Sequence, residues 1–203
     1  YAKCGMLAKA QEVHDDLRVR NVVSWNALIS GYAQQGQGYE ALNCLEEMRG
    51  EGLSPDTVTF VSILNACSHS GCLEEAQLYF HEMCGKYGIT PDLEHYTCMV
   101  SVLGRVGEFN KAMSVIEMLP FPDYLPVWLT LLGACKKWGN VKVGRLAFDE
   151  AVRIDNSCGA YILMADIYIA CGMQKDAEKV KSIALENKSR EHIFYGPLCH
   201  GGS

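Results

Sequence analysis

The most constraining feature of the sequence is a glycine that recurs at intervals of 31 to 36 residues, with an aromatic residue and a small residue at fixed distances from it. The ring stands eleven residues before each of the last five glycines, and the small residue stands five after all six. The glycines are Gly5, Gly36, Gly71, Gly107, Gly139 and Gly172, the rings are Trp25, Phe60, Tyr96, Trp128 and Tyr161, and the small residues are Ala10, Ala41, Ala76, Ala112, Gly144 and Ala177. Three landmarks in register this often indicate an internal repeat.

One complete repeat, residues 22–56, shows what the unit is. Apolar residues recur at helical spacing on each side of Gly36, first around Trp25 and then around Leu45. Pro55 ends the second helix, since proline cannot donate the backbone hydrogen bond that a helix interior needs. The sequence therefore predicts an all-α fold, an α-solenoid of helix-turn-helix repeats of about 35 residues.

The landmarks divide the chain into successive units. The predicted units are a partial repeat at 1–21, repeats at 22–56, 57–92 and 93–123, further units at 124–157 and 158–191, and an unassigned tail at 192–203. Tyr1 matches Tyr32, so the first unit lacks most of its first helix, and an apolar helix face is predicted to meet water there. Because there is no initiator methionine and no leader segment, we expect the chain to be part of a longer protein.

Composition excludes several classes of function. No apolar run approaches the roughly 18 residues of a membrane span. The ten cysteines include no Cys-x-x-Cys pair, and His81-Glu82-Met83-Cys84 lacks the second histidine of a zinc-protease helix, so neither a metal site nor a cofactor is expected. Four cysteines, Cys4, Cys67, Cys135 and Cys171, stand at equivalent places in the repeats, which favours small buried thiols in a reducing compartment over disulfides.

Specific strings carry a resemblance to a known family. The chain contains VVSWNALISGYAQQGQGYEAL, NACSHSGCLEEA and ITPDLEHYTCMVSVLGRVG, and its unit lengths run 35, 36 and 31. These features resemble the pentatricopeptide repeat family of land plants, in the subclass that alternates standard, long and short repeats (PLS). Residues 124–157 and 158–191 are similar to the two C-terminal E motifs of that subclass. The resemblance implies a right-handed superhelix that binds single-stranded RNA in a plant organelle, a mitochondrion or alternatively a chloroplast.

In that family, the resemblance implies, the fifth and last residues of a repeat read one RNA base. The pairs here are Asn26 with Asp56, Val61 with Asp92, and Thr97 with Asp123. By resemblance the first pair favours uracil and the third guanine. The side chain of Val61 cannot form a hydrogen bond. The pair of Val61 and Asp92 should therefore stack on a base or act only as a spacer.

Each of these residues also has a structural interpretation. Asn26 could be a solvated polar residue, and the three aspartates could cap the helices that follow them. The regular rings, such as Trp25, are expected in the core and not as stacking platforms for bases. The core landmarks also fit the tetratricopeptide repeat, a peptide-binding scaffold, but the unequal unit lengths and the recurrent Pro-Asp at unit ends favour the RNA-binding family.

Charge bears on how RNA could be held. Residues 1–123 carry 8 basic and 16 acidic residues, whereas residues 124–203 carry 10 and 8. An acidic segment should bind RNA weakly, because phosphate attraction supplies much of the affinity. Candidates for a phosphate or partner contact are Lys136, Lys137, Lys142, Arg145 and Arg153, which share one unit.

The resulting functional hypothesis is a specificity factor for C-to-U RNA editing without its own catalytic domain. The His-x-Glu and Cys-x-x-Cys of a zinc deaminase do not occur in the sequence, so the chemistry would be supplied in trans or by a lost C-terminus. The alternative is an organellar factor for RNA splicing or stability. The expected partners are single-stranded organellar RNA and a deaminase-bearing or other editing-factor protein in trans, with no membrane partner.

Overall fold

The computed structural model describes residues 1–121, 123–156 and 158–194, with the side chains of Lys3 and of residues 188–194 left aside. These residues form eleven α-helices and no strand, so the predicted all-α fold is confirmed. A short 3-10 turn at Ala2–Cys4 precedes the helices. They are α1 (Leu7–Asp15), α2 (Val22–Gln34), α3 (Gly38–Gly50), α4 (Thr57–Ser70), α5 (Leu73–Gly85), α6 (Leu93–Val106), α7 (Phe109–Glu117), α8 (Leu125–Trp138), α9 (Val141–Ile154), α10 (Cys158–Ala170) and α11 (Gln174–Phe194).

The six marker glycines all lie in turns, as predicted. Each has a positive φ, between 61° and 83°, in the left-handed region that a side chain with a Cβ disfavours. At Gly71 and Gly107 the residue after the glycine donates its N–H back into the helix, from Cys72 to Cys67 and from Glu108 to Leu103. The recurrence of glycine in the sequence therefore follows from the need to end one helix and reverse the chain.

The landmark rings fill the core. Trp25 and Phe60 are fully buried, and Trp128 and Tyr161 are nearly so. Tyr96 is half-buried and packs against Phe80, with ring centroids 5.8 Å apart. The expectation that these rings belong to the core is confirmed for the four buried ones.

The chain divides into two compact units, residues 1–122 and 123–203. In the first, the helices α2, α4 and α6 pack side by side, while α3 packs against α2 and α4, and α5 against α4 and α6. In the second, α8 packs against α9 and α10, and α10 against α11. In both units the first helix of each pair contacts the first helix of the next pair, which is how a repeat array grows.

The predicted tail falls at the edge of the described part. Residues 192–194 belong to α11, and residues 195–203 lie outside the described residues. Among the described residues, no helix combines the length and the apolar character that a bilayer crossing requires.

The cysteine prediction was right for one pair and wrong for the other. The nine described cysteines are free thiols, and Cys67 and Cys135 are buried. Cys4 and Cys171, however, are exposed. Cys4 is the last residue of the 3-10 turn and Cys171 directly follows the end of α10, so both stand where the chain turns at a marker glycine. Cys67 and Cys135 lie four residues before their marker glycines, one turn deeper in a helix.

The expected apolar face at the start of the chain is present as a groove of about 650 Å³. Val13, Leu17 and Val23 line it and are exposed.

Candidate nucleic-acid interface

Asn26 lies in the second turn of α2 and is a buried polar residue, with 8% of its surface exposed. A buried amide requires hydrogen-bond partners, and Asn26 has two. Its Nδ2 donates to Asp56 Oδ1 at 2.9 Å, and its Oδ1 accepts from the Thr59 hydroxyl at 2.6 Å. The fifth and last residues of the predicted repeat at 22–56 are therefore in direct contact, and the solvated interpretation of Asn26 is wrong.

Asp56 caps the start of α4. Its Oδ1 accepts the Thr59 N–H at 2.9 Å, and the Thr59 hydroxyl accepts the Asp56 N–H at 3.1 Å, which together form a capping box. Burial acts to raise the pKa of Asp56, but the hydrogen bonds from Thr59 and Asn26 outweigh it, so the pKa lies below its ordinary value. The carboxylate is thus held ionised and fixed in place.

The second predicted pair is placed differently. Val61 is half-buried on α4, and its carbonyl accepts a weak hydrogen bond from the Cys98 thiol at 3.9 Å. Asp92 caps α6 and lies 2.6 Å from Nδ1 of His95, a fully buried histidine. Burial acts to raise the pKa of Asp92, and its bonds to His95 and to the N–H of Glu94 bring it below its ordinary value.

Of the third pair, Thr97 belongs to the first compact unit and Asp123 to the second. Thr97 is half-buried on α6, and its hydroxyl donates to the Leu93 carbonyl at 2.7 Å. Asp123 accepts a bond from Arg153 of α9 at 2.5 Å. The capping interpretation holds for Asp56 and Asp92 but is wrong for Asp123, because α8 begins after Tyr124 without a side-chain cap.

Serine pairs join the first helices of neighbouring repeats. Ser30 of α2 and Ser62 of α4 are hydrogen-bonded at 2.6 Å, and Ser68 of α4 and Ser101 of α6 at 2.7 Å. These bonds fix the register of the three helices that carry Asn26, Val61 and Thr97.

The candidate basic residues are mostly engaged within the second unit. Lys136 donates to Asp166 at 2.8 Å, and Arg145 donates to the Tyr168 hydroxyl at 2.7 Å. The Lys137 ammonium lies 5.5 Å from the centre of the Trp138 ring, while Lys142 is exposed. Lys136 keeps half of its side chain exposed, so its intramolecular bond leaves room for a phosphate contact.

Two residues that join this network were absent from the predicted site. Thr59 is fully buried and contacts both members of the first pair, and His95 contacts Asp92. The signal that could have found them is the capping box, since each stands three residues after the aspartate. Among the described residues, histidine, cysteine and carboxylate side chains form no group of three or more that could hold a metal ion.

Comparison with protein families identifies the repeats. The PPR repeat family model matches residues 20–69, and the PPR repeat model matches residues 58–87 and 94–120. These matches favour the pentatricopeptide interpretation over the tetratricopeptide one.

Similar proteins occur in Arabidopsis thaliana. A mitochondrial pentatricopeptide repeat-containing protein is 38% identical over 189 residues, which is 93% of this chain and 40% of the relative. The chloroplastic pentatricopeptide repeat-containing protein CRR2 is 39% identical over 194 residues, 95% of this chain and 29% of the relative. The chain thus spans no more than about two fifths of the length of these relatives.

Solved structures agree on the fold. The crystal structure of the pentatricopeptide repeat protein PPR10 from maize has a TM-score of 0.74 at 21% identity, over 92% of this chain and 28% of that one. The crystal structure of PPR10 in complex with an 18-nt psaJ RNA element has a TM-score of 0.63 at 18% identity, over 86% of this chain and 31% of that one. The chain therefore belongs to the pentatricopeptide repeat (PPR) family and has its all-α repeat solenoid fold.

Proposed function

We propose that this chain binds single-stranded RNA and reads its bases one repeat at a time. The observation that carries the proposal is the 2.9 Å bond between Asn26 and Asp56, which joins the fifth and last residues of one repeat. A relative of the same fold, PPR10, is known in complex with an RNA element, which supports the choice of ligand. Unpaired RNA bases expose the hydrogen-bonding edge that such a pair can address.

The chemistry of the first pair suits uracil. Asn26 uses one Nδ2 hydrogen on Asp56, which leaves a second hydrogen as a donor, and the protein bonds to Asp56 described above end on Oδ1, which leaves Oδ2 as an acceptor. Uracil has a ring N–H donor beside carbonyl acceptors, so a donor and an acceptor can both be satisfied.

The other two pairs complete a short recognition sequence. The Thr97 hydroxyl spends its proton on Leu93, so toward a base it acts as an acceptor, as does the Asp123 carboxylate. Two acceptors suit guanine, whose base-pairing edge carries neighbouring N–H donors. The pair of Val61 and Asp92 would face the nucleotide between the uracil and the guanine and would specify it only loosely. The proposed recognition sequence is uracil, any nucleotide, guanine.

Phosphate contacts would come from Lys136, Lys137, Lys142 and Arg145. Because the reading repeats are acidic overall, we expect weak binding that falls steeply as salt rises. Replacement of one of these cations should weaken all RNA sequences equally.

The broader role we propose is that of a specificity factor for C-to-U editing in plant organelles, in mitochondria or alternatively in chloroplasts. Residues 124–157 and 158–191 would be the E motifs of a PLS-subclass protein, and a deaminase-bearing partner would supply the chemistry. A splicing or stability factor is the second candidate, because it would use the same RNA-binding repeats.

A titration of the 203-residue chain with short RNAs tests the base reading. Nuclear magnetic resonance measures dissociation constants into the millimolar range, which suits a weak complex. The probes vary the base two nucleotides before a fixed guanine. The probe with uracil at this position should bind several-fold more tightly than the probe with cytosine, and the chemical shifts of Asn26 should change on binding. Equal binding of all four probes would refute base reading by Asn26 and Asp56.

Loss of the full-length protein from a plant distinguishes the two roles. Sequencing of organellar transcripts should then show one or a few cytidines that are no longer converted, with intron removal unchanged. Retained introns or reduced transcript abundance, with editing intact, would instead establish the splicing or stability role.

A further inference from the structure

The contact between Asn26 and Asp56 depends on a third residue, Thr59, which belongs to the next predicted repeat. Thr59 is fully buried, and its hydroxyl lies 2.6 Å from Asn26 Oδ1 and 2.9 Å from Asp56 Oδ1. It also accepts the Asp56 N–H at 3.1 Å. One hydroxyl group thus contacts both proposed base-reading side chains.

The roles of donor and acceptor in this cluster follow from its chemistry. A carboxylate can only accept, so the Asn26 atom that faces Asp56 must be Nδ2. The Asn26 oxygen then faces Thr59, and the hydroxyl donates its single proton across the shorter distance, 2.6 Å to Asn26 Oδ1 against 2.9 Å to Asp56 Oδ1, which already accepts two N–H groups. Without that proton the Asn26 oxygen would be a buried acceptor with no donor, a costly state that side chains relieve by rotating.

We propose that Thr59 is a positioning residue that sets the base preference of the preceding repeat by fixing the Asn26 amide. The inference rests on the proposed RNA-reading function. With the amide fixed, the repeat presents one N–H donor from Asn26 beside the Asp56 Oδ2 acceptor. Uracil matches that pair, whereas cytosine has no hydrogen on its ring nitrogen and meets the carboxylate with a lone pair.

The equivalent position recurs along the first compact unit. Ser24, Thr59 and His95 each stand third in their repeat and contact the last residue of the repeat before, which is Asn21, Asp56 or Asp92. In the second unit, Pro126 stands third in its repeat and has no side-chain donor. The geometry thus couples the reading pair of one repeat to a side chain of the next.

The test compares three variants of the 203-residue chain. Thr59→Val removes the hydroxyl and keeps the shape, Thr59→Ser keeps the hydroxyl, and Thr57→Val removes an exposed hydroxyl two residues away as a matched control. Each is titrated with the RNA probes that differ only in uracil or cytosine two nucleotides before the guanine. Thermal unfolding confirms that each variant is folded.

Thr59→Val should lose most of the several-fold preference for uracil over cytosine, while Thr59→Ser and Thr57→Val should keep that preference to within about twofold of the parent chain. The change should be confined to that one nucleotide. A merely structural threonine would instead weaken both probes equally, and that result would overturn the proposal. A Thr59→Val chain that keeps the full preference would overturn it as well.

The orientation of Asn26 can be followed without RNA. The side-chain amide protons of Asn26 should exchange slowly with solvent in the parent and Thr59→Ser chains, and faster in Thr59→Val. If the parent chain shows no base preference, the proposed reading function itself is wrong. If the parent chain prefers uracil, and Thr59→Val matches it in both amide-proton exchange and base preference, only the inference about Thr59 is wrong.

Discussion

Asp56 and Asp123 occupy the same predicted repeat position but are held by different physics in the two compact units. Asp56 is itself exposed, but it accepts bonds from Asn26 and Thr59, which are both buried. Asp123 is paired with Arg153, and more than half of each side chain is exposed. A buried hydrogen-bond network is costly to break, whereas an exposed ion pair is screened by water and salt. One repeat position can thus be rigid in one unit and loosely held in the other.

The largest expected difference between the two aspartates is in stability. Asp56→Ala removes the cap of α4 and leaves the buried Asn26 amide without its acceptor, so the free energy of unfolding should fall by about 2 to 3 kcal/mol. Asp123→Ala should change it little, because an exposed ion pair contributes little. Urea unfolding followed by circular dichroism measures both. Equal losses in the two variants would contradict the comparison.

Buried thiols can localise that effect. Burial raises the pKa of Cys67 on α4 and of Cys135 on α8 to about 12, so both should react slowly while the chain is folded. Asp56→Ala should speed alkylation of Cys67 by about tenfold or more and leave Cys135 unchanged, since only the first unit is weakened. Mass spectrometry of peptides after timed alkylation reads each site, with the exposed Cys171 as the fast reference. Equal acceleration at Cys67 and Cys135 would show that the units open together.

Acid should weaken the hydrogen-bond network formed by Asp56, Asn26 and Thr59. The folded pKa of Asp56 lies below its ordinary value of 3.8, so its contribution is complete above that value and is lost as pH falls through the folded pKa. Asp56→Asn keeps a capping oxygen without a charge and should show a shallower loss of stability below about pH 4. His14 and His69 also have lowered pKa values, mainly through burial, but they act alike in both proteins and cancel in the difference. If stability falls with pH identically in the parent chain and in Asp56→Asn, the charge of Asp56 contributes nothing to the stability of the fold.

The sequence predicted well whatever depends on local geometry. The marker glycines end helices because only glycine adopts their positive φ without strain, and rings at helical spacing, such as Trp25 and Phe60, must face a core. Caps at Asp56 and Asp92 follow from residues three apart. These features need no knowledge of tertiary contacts.

The features that sequence reasoning missed depend on distant partners. Asp123 pairs with Arg153, and the Asn26 amide is bonded to Asp56. Each partner lies 30 positions later in the sequence, so a local pattern shows neither contact. The sequence alone permits a solvated Asn26 because asparagine is usually exposed, and its burial becomes possible because Thr59 and Asp56 satisfy its amide. Periodicity alone predicts that Cys4 and Cys171 lie in the core, but both stand directly before a turn and are exposed.

The most direct test of base reading converts the third pair into a copy of the first. Thr97→Asn would place asparagine with Asp123, as Asn26 stands with Asp56, in the 203-residue chain at fixed salt. The probes then vary the nucleotide that the parent chain reads as guanine. If fifth and last residues read bases, the variant should shift its preference there from guanine toward uracil, by less than the first pair prefers uracil because Pro126 offers no hydroxyl to fix the new amide, with the other positions unchanged. A uniform loss of affinity for all probes, with guanine still preferred, would contradict base reading at the fifth position.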